Sequence, residues 1–273
     1  MIFLANEFPQ ACTIAGSDSD GSAGMQADLH TFFRRKVYGT AVMTAAVAGN
    51  SYGIHDSVTL PTTFIDQEFK DLADDYHVRA SKTGMLADSE LIRTVIKNYQ
   101  AYDFGPLVVD PVITTKHGNM LLEQNAYKTL RDELIPLATV ITPNFFEAQK
   151  LAEMPINTRE DMATAAQKLR QLGAKSIVLK GSHHDPNQKT VSDYVLLESG
   201  EAFWMTGKFF PTDRKNGTGD SLSACIAAEL AKGNSVKDAA KIPKRFVDIA
   251  IENDIAVGHK FGPINHWAPA DEL

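Results

Sequence analysis

The chain has 273 residues, 44% of them hydrophobic and 22% charged, enough apolar material for one large core. Its formal net charge of −7 and sequence pI near 5.6 argue against nucleic-acid and anionic-membrane partners, because phosphate backbones and acidic lipids repel such a protein, and they favour a small-molecule ligand. Cys12 and Cys225 lie too far apart for a C-x-x-C or zinc spacing, Met1 to Gln10 lacks a basic n-region, and no apolar run approaches the ~18 residues of a membrane helix, so a reducing cytoplasm is the expected compartment.

Ala11 to Gly16 is a short apolar run ending on glycine and predicts a buried first strand that contains Cys12. Ser17 to Gly24 is rich in turn formers. Met25, Leu29, Phe32 and Phe33 then recur at helical spacing, so the segment reads strand, loop, helix N-terminus. Gly16 and Gly21 have the glycine spacing of a phosphate-binding loop, but Ser22-Ala23 stands where Lys-Ser/Thr belongs. No G-x-G-x-x-G is present either, so neither nucleotide motif applies.

Val42 to Ala48 predicts a second strand and Ile54 to Leu60 an extended piece before Pro61. A helix is expected from Thr62 to about Tyr76, with Phe64, Phe69 and Leu72 on one face. Ala80 to Met85 reads as a short strand and glycine turn, and Asp88 caps a helix carrying Leu91, Ile92, Val95 and Ile96.

Leu107 to Val109 is a buried strand whose carboxyl end carries Asp110-Pro111-Val112. Val140-Ile141-Thr142 is another, ending in Pro143-Asn144, and Phe145 to Leu151 begins a helix with Glu147 one turn on. In a parallel sheet both ends open on the ligand-binding edge. Oxygen donors there suit Mg²⁺, which takes one or two carboxylates, directly or through water, and completes its shell from solvent and phosphate. Each acid alone also reads as an ordinary turn or first-turn residue.

Thr158 to Leu172 predicts a helix closed by Gly173, and Ser176 to Leu179 a strand ending in Lys180, placed either to pair with phosphate or to sit in solvent. His183 and His184 in the following polar loop read as exposed side chains rather than metal ligands. Val191 to Leu197 and Ala202 to Met205 form a hairpin around Glu198 to Glu201.

Asn216-Gly217-Thr218-Gly219-Asp220-Ser221 then leads into Leu222, Cys225, Ile226 and Leu230, a spacing that puts the glycines at a helix N-terminus. Such a terminus holds an anion on its unpaired N–H groups. Asp220 there is either a first-turn acid favoured by the helix dipole or a base that takes a proton from a hydroxyl attacking the bound phosphate. A further helix starts at Ser235. No repeat, linker or low-complexity run interrupts the chain. The alternation predicts a single domain over 1–273, a three-layer αβα sandwich with a mostly parallel sheet.

Taken together and in order, Gly16-Ser17-Asp18 with Gly24-x-Gln26-Ala27-Asp28, Lys82-Thr83-Gly84-Met85, Asp110-Pro111-Val112, Thr142-Pro143-Asn144-x-x-Glu147, Lys180-Gly181 and Gly217-Thr218-Gly219-Asp220 resemble the ribokinase-like superfamily. The resemblance spans nearly the whole chain and is to the branch of hydroxymethylpyrimidine phosphate kinases and pyridoxal kinases, most of all to pyridoxal kinases. It implies an ATP-dependent kinase with Gly217, Thr218 and Gly219 as anion hole and Asp220 as base. It implies ATP at Lys180, Asn144, Glu147 and Thr212, and Mg²⁺ at Asp110 and Glu147. The aromatic acceptor is implied at Gly16, Ser17, Asp28, Gly49, Met85 and Val112, and a homodimer as the assembly. A requirement for a monovalent cation such as K⁺ stays open.

Two departures bear on the acceptor and the chemistry. Gly49 stands where pyrimidine kinases of the branch carry a glutamine that recognises the pyrimidine, which removes a hydrogen-bonding handle. Asp220 stands where many members of the branch carry cysteine, which removes a thiol-dependent route. The expected activity is phosphorylation of pyridoxal, with hydroxymethylpyrimidine or its phosphate as the alternative acceptor and a non-catalytic vitamin-binding protein as the alternative of another class.

Overall fold

The computed structural model describes residues 8–113, 122, 124–183, 185 and 187–270, so His184 lies outside the described residues. Nine strands form a continuous sheet in the order β3-β2-β1-β4-β5-β6-β7-β8-β9. The strands β1 (Gln10–Asp18), β2 (Tyr38–Asn50), β4 (Ala80–Thr83), β5 (Leu107–Val109), β6 (Val140–Ile141) and β7 (Ser176–Leu179) run parallel. At one edge β3 (Gly53–Thr59) folds back antiparallel on β2. At the other, β8 (Thr190–Leu196) and β9 (Ala202–Lys208) add an antiparallel hairpin.

Side chains alternate across this sheet and build two cores. Cys12, Ile14, Val42, Val109, Ile141 and Ile177 meet α2 (Thr62–Asp75), α3 (Ser89–Ala101), α5 (Phe145–Ala152) and α6 (Arg159–Gln171) on one side. Ala11, Ala80, Val108, Val140 and Val178 meet α1 (Gly24–Arg34), α7 (Thr218–Ala231) and α8 (Val236–Glu252) on the other. The expected three-layer α/β architecture is therefore the observed one.

The caps explain several boundaries. Asp88 accepts the Leu91 N–H at 2.8 Å, and Asn144 with Glu147 and Thr158 with Asp161 form reciprocal capping boxes. Differences from the expected elements are local. β1 runs on to Asp18 and β2 spans thirteen residues, because β2 and β3 continue beyond the sheet as a two-stranded flap whose β3 is exposed throughout. A short helix, α4 (Gln124–Thr129), widens through a π turn at Leu130–Leu134 and carries too few residues to show a sequence period.

One ion pair fixes the far end of α7. Arg35 donates from Nε to Oε1 of Glu229 at 2.7 Å and from Nη1 to the Ala270 carbonyl at 3.2 Å, while Asn234 and Lys232 also donate to Glu229, each at 2.8 Å. The paired side chains are only 4% and 2% exposed. Arg35→Ala takes one of two cations from the buried Glu229 carboxylate, Lys232 remaining, and is expected to cost up to about 3 kcal/mol of unfolding free energy in a urea titration. Breaking the exposed Lys70–Asp74 pair by Lys70→Ala leaves the midpoint unchanged.

Candidate active site

The N-terminus of α7 lies over the carboxyl ends of β1, β4, β5 and β7. Gly217 caps it with φ +78°, and a Cβ there would also run into the Ser22 carbonyl, so only glycine fits. The first bond inside the helix is from the Ser221 N–H to the Gly217 carbonyl at 2.8 Å. The amides of Thr218, Gly219 and Asp220 precede it and face the cavity end of the helix dipole. The preceding loop is held from behind: the Asn216 N–H bonds the Gly262 carbonyl at 3.0 Å, the Ile264 N–H bonds the Asn216 carbonyl at 3.1 Å, and His266 Nε2 lies 2.7 Å from Ser221 Oγ.

Beneath this helix end, one face of the sheet carries charge. Lys82 on β4 stands level with Thr13 on β1 and Val108 on β5, and Asp110 follows two residues beyond Val108 on the same face. Lys180 follows β7. Its Nζ lies 3.3 Å from Oδ1 of Asp110, and a Cβ on Gly219 would stand 3.3 Å from that Nζ and 3.7 Å from Asp110 Oδ2. Lys82 donates to both Asp28 oxygens at 2.9 and 2.8 Å and lies 3.6 Å from Oδ1 of Asp220.

The electrostatics follow from this crowding. Burial pushes the Glu147 carboxyl up to about 7 against the pull of Lys180, and Asp28 up to about 7 against that of Lys82. Burial likewise raises Asp110, with Lys180 and Lys82 opposing it. For both lysines burial disfavours the charge, but the surrounding carboxylates prevail and hold them above the ordinary lysine value.

A cavity of about 570 Å³ runs across the helix end. Gly217, Thr218, Gly219, Asp220, Lys180 and Asn144 line its middle, and Gly16, Ser17, Gly49, Met85 and Val112 line one end. These expected residues are therefore brought together. Val112 follows Pro111 with φ +44°, a left-handed conformation that costs a β-branched residue about 1–3 kcal/mol, and it is placed on the cavity wall.

Four expected residues do not reach the cavity wall. Asp28, expected at the acceptor, is fully buried beneath it, bonded to Lys82 and to Thr13 Oγ1 at 2.5 Å. Thr212, expected at the nucleotide, instead accepts the Arg214 N–H at 3.1 Å in the loop before α7. Glu147, 1% exposed, spends its carboxylate on the amides of Asn144 at 2.7 Å and Ile113 at 2.9 Å, so it acts on the cavity through Asn144. Asp110 lies one layer below, behind Gly219 and Lys180.

Among the described residues no group of three or more His, Cys, Asp or Glu is arranged to hold a metal unaided. The donors at hand are carboxylate oxygens, and next to Asp110 the buried Thr142 hydroxyl, two residues beyond the strand partner of Val108, has no hydrogen-bond partner. Few protein oxygens with a shell completed by water and phosphate is the chemistry that fits Mg²⁺.

Several residues at the site carried no signal in the sequence. The far end of the cavity is walled by Phe209, Phe210, Val247 and Ile251 around Lys244, whose ammonium lies 3.7 Å from Asp193 and 3.6 Å from Asp248. Only tertiary packing of α8 against the β8–β9 hairpin brings these together. Lys82 had one usable sign, a cation inside a four-residue strand with Ala80 on the same face.

The sequence pattern of the family described as "Phosphomethylpyrimidine kinase" matches residues 18–265, and the chain belongs to that family. It is 41% identical over 260 residues to the hydroxymethylpyrimidine/phosphomethylpyrimidine kinase of Haemophilus influenzae, covering 95% of this chain and 97% of the relative. It is 38% identical over 263 residues to the pyridoxine kinase of Bacillus subtilis, covering 95% and 96%. Among solved structures, the pyridoxal kinase of Staphylococcus aureus in complex with AMP-PCP and pyridoxal matches with a TM-score of 0.86 at 33% identity, covering 96% and 95% of the two chains. The ADP complex of Bacillus subtilis pyridoxal kinase matches with a TM-score of 0.85 at 35% identity, covering 96% and 98%. The chain is thus a kinase of the ribokinase-like pyridoxal and hydroxymethylpyrimidine branch, and no helix of the described residues is long and apolar enough to cross a membrane.

The latch at His266 gives a pH signature. Burial pushes its imidazole down to about 4, with His30 adding and Asp220 opposing. From an ordinary value of 6.5, the folded chain binds fewer protons than the unfolded chain between about 4 and 6.5, so this stabilisation is complete above 6.5 and is lost as pH falls towards 4. Wild type is expected to lose unfolding free energy relative to His266→Gln across that window, by up to about 1.4 kcal/mol per pH unit, in paired urea titrations. Asp28 and Glu147 titrate with the opposite sign, are common to both proteins, and cancel in the difference.

Proposed function

We propose that the chain transfers the γ-phosphoryl group of ATP to the 5′-hydroxymethyl group of pyridoxal, and of pyridoxine or pyridoxamine, in vitamin B6 salvage. One observation carries the transfer chemistry: a part-exposed carboxylate, Asp220, shares one cavity wall with the first amides of α7 and with Lys180. Asp220 takes the hydroxyl proton and the freed oxygen bonds to the γ-phosphorus. The bond from that phosphorus to the β–γ bridging oxygen breaks, and ADP leaves with the electron pair. The Thr218 and Gly219 amides and Lys180 receive the charge spread over the transferring oxygens, so positioning and electrostatics supply most of the acceleration.

Asn144 and Lys180 hold the phosphate chain, with Glu147 fixing Asn144 through the capping box. Asp110 would hold Mg²⁺, which when bound neutralises phosphate charge. The apolar far end at Phe209 and Phe210 suits a nucleobase.

Pyridoxal as acceptor is favoured by Gly49. A Cβ at that position would stand 2.9 Å from the Gly53 carbonyl and 3.3 Å from the Ile54 Cα, so the turn between β2 and β3 leaves no room for a glutamine. Hydroxymethylpyrimidine or its phosphate is the second reading, favoured by the 41% identity to the Haemophilus influenzae enzyme.

Coupled ADP-release assays with pyridoxal, pyridoxine and hydroxymethylpyrimidine side by side separate the two, the highest kcat/KM being expected for pyridoxal. Tight binding without ADP formation would instead identify a carrier. Asp220→Asn is expected to lower kcat by ~10² to 10⁴ while nucleotide binding persists, and near wild-type turnover would remove the base assignment.

A further inference from the structure

Lys82 has no place in the transfer described above. It does not line the cavity, so it touches neither phosphate nor acceptor, and its side chain is fully buried. An apolar side chain of the same length would fill that volume without the cost of removing an ammonium from water. Room is nevertheless kept for the charge: a Cβ on Gly84 would stand 3.1 Å from Nζ. Asp28, also fully buried, takes two N–H groups at 2.9 and 2.8 Å and is itself held by Thr13 at 2.5 Å. One N–H of the ammonium is left, and the next carboxylate within ion-pair distance is Asp220, with Oδ1 3.6 Å away.

We infer that Lys82 is a positioning residue for Asp220: anchored by Asp28, its ammonium fixes the direction of the Asp220 carboxylate at the end of α7, so that the free oxygen faces the acceptor hydroxyl. This rests on the reading of Asp220 as base. Two other groups, a cation and an imidazole, lie around Asp220, but neither can do this. Lys180, from β7, is committed to Asp110 at 3.3 Å and to the cavity, and His266 is turned towards Ser221. The carboxylates of Asp28 and Asp110 repel Asp220 and cannot hold it. Of these three groups, Lys82 is the one both fixed from behind and free in front.

The test compares wild type, Asp220→Asn, Lys82→Met and the double variant Lys82→Met/Asp28→Asn, with MgATP and the best acceptor of the panel. Lys82→Met is expected to lower kcat about 10²-fold with both KM values unchanged within about twofold, since Lys82 touches neither substrate. Its melting temperature should also fall, because Asp28 is left buried and unpaired. The double variant removes both charges and should recover the melting temperature while kcat stays low. Recovery of kcat together with stability would show a merely structural pair and overturn the inference, as would a wild-type kcat in Lys82→Met.

Failure of the underlying reading looks different. It appears as an inactive wild type or an active Asp220→Asn, and then the crystal structure of the double variant decides. A shift of the Asp220 carboxylate by about 1 Å or more supports the positioning role, and an unmoved carboxylate overturns it.

Discussion

The structure depends on keeping four carboxylates and two ammonium groups together towards the carboxyl edge of a parallel sheet. Asp28, Asp110, Glu147 and Asp220 meet Lys82 and Lys180 beneath the first turn of α7, where little water reaches. Unpaired, each of these charges would cost several kcal/mol. The lysines make the arrangement tenable, each facing more than one carboxylate, and the carboxylates in turn hold both lysines charged. Glycines 84, 217 and 219 supply the close approaches that the pairing needs.

Within that frame the charges are graded by depth. Asp28 and Lys82 are sealed, Asp110 and Glu147 lie just under the surface, and only Asp220 and Lys180 reach the cavity wall. Asp220 and Lys180 are therefore supported from below by groups that do not line the cavity. The lower layer supplies charge and hydrogen bonds, while the upper one lines the cavity.

Much of this was legible in the sequence because it follows from order along the chain. Short apolar runs ending in Asp110, Asn144 and Lys180 put these residues at strand ends, and glycines before an apolar helical period placed Asp220 at a helix start. Depth was not legible. Asp28 read as a residue that meets the acceptor, and Thr212 as one that meets the nucleotide. Which side of α1 faces the sheet, and how the loop before α7 turns on Arg214, are decided by packing between elements distant in sequence. A four-residue strand such as β4 fixes which residues share a face but not which face is inward, so Lys82 showed no role until α1 and α7 were in place. The cluster of Asp193, Lys244 and Asp248 was hidden for the same reason.

The segment from Gly262 to His266 bonds Asn216 on both sides and reaches Ser221. It comes after all nine strands in the chain, the last of which, β9, ends at Lys208. The strands can therefore be made before the loop ahead of α7 gains this backing, whereas the core on the α7 side waits for α8 and Ala270. The helix end beneath which the charges meet is thus braced by chain made after the sheet that carries them.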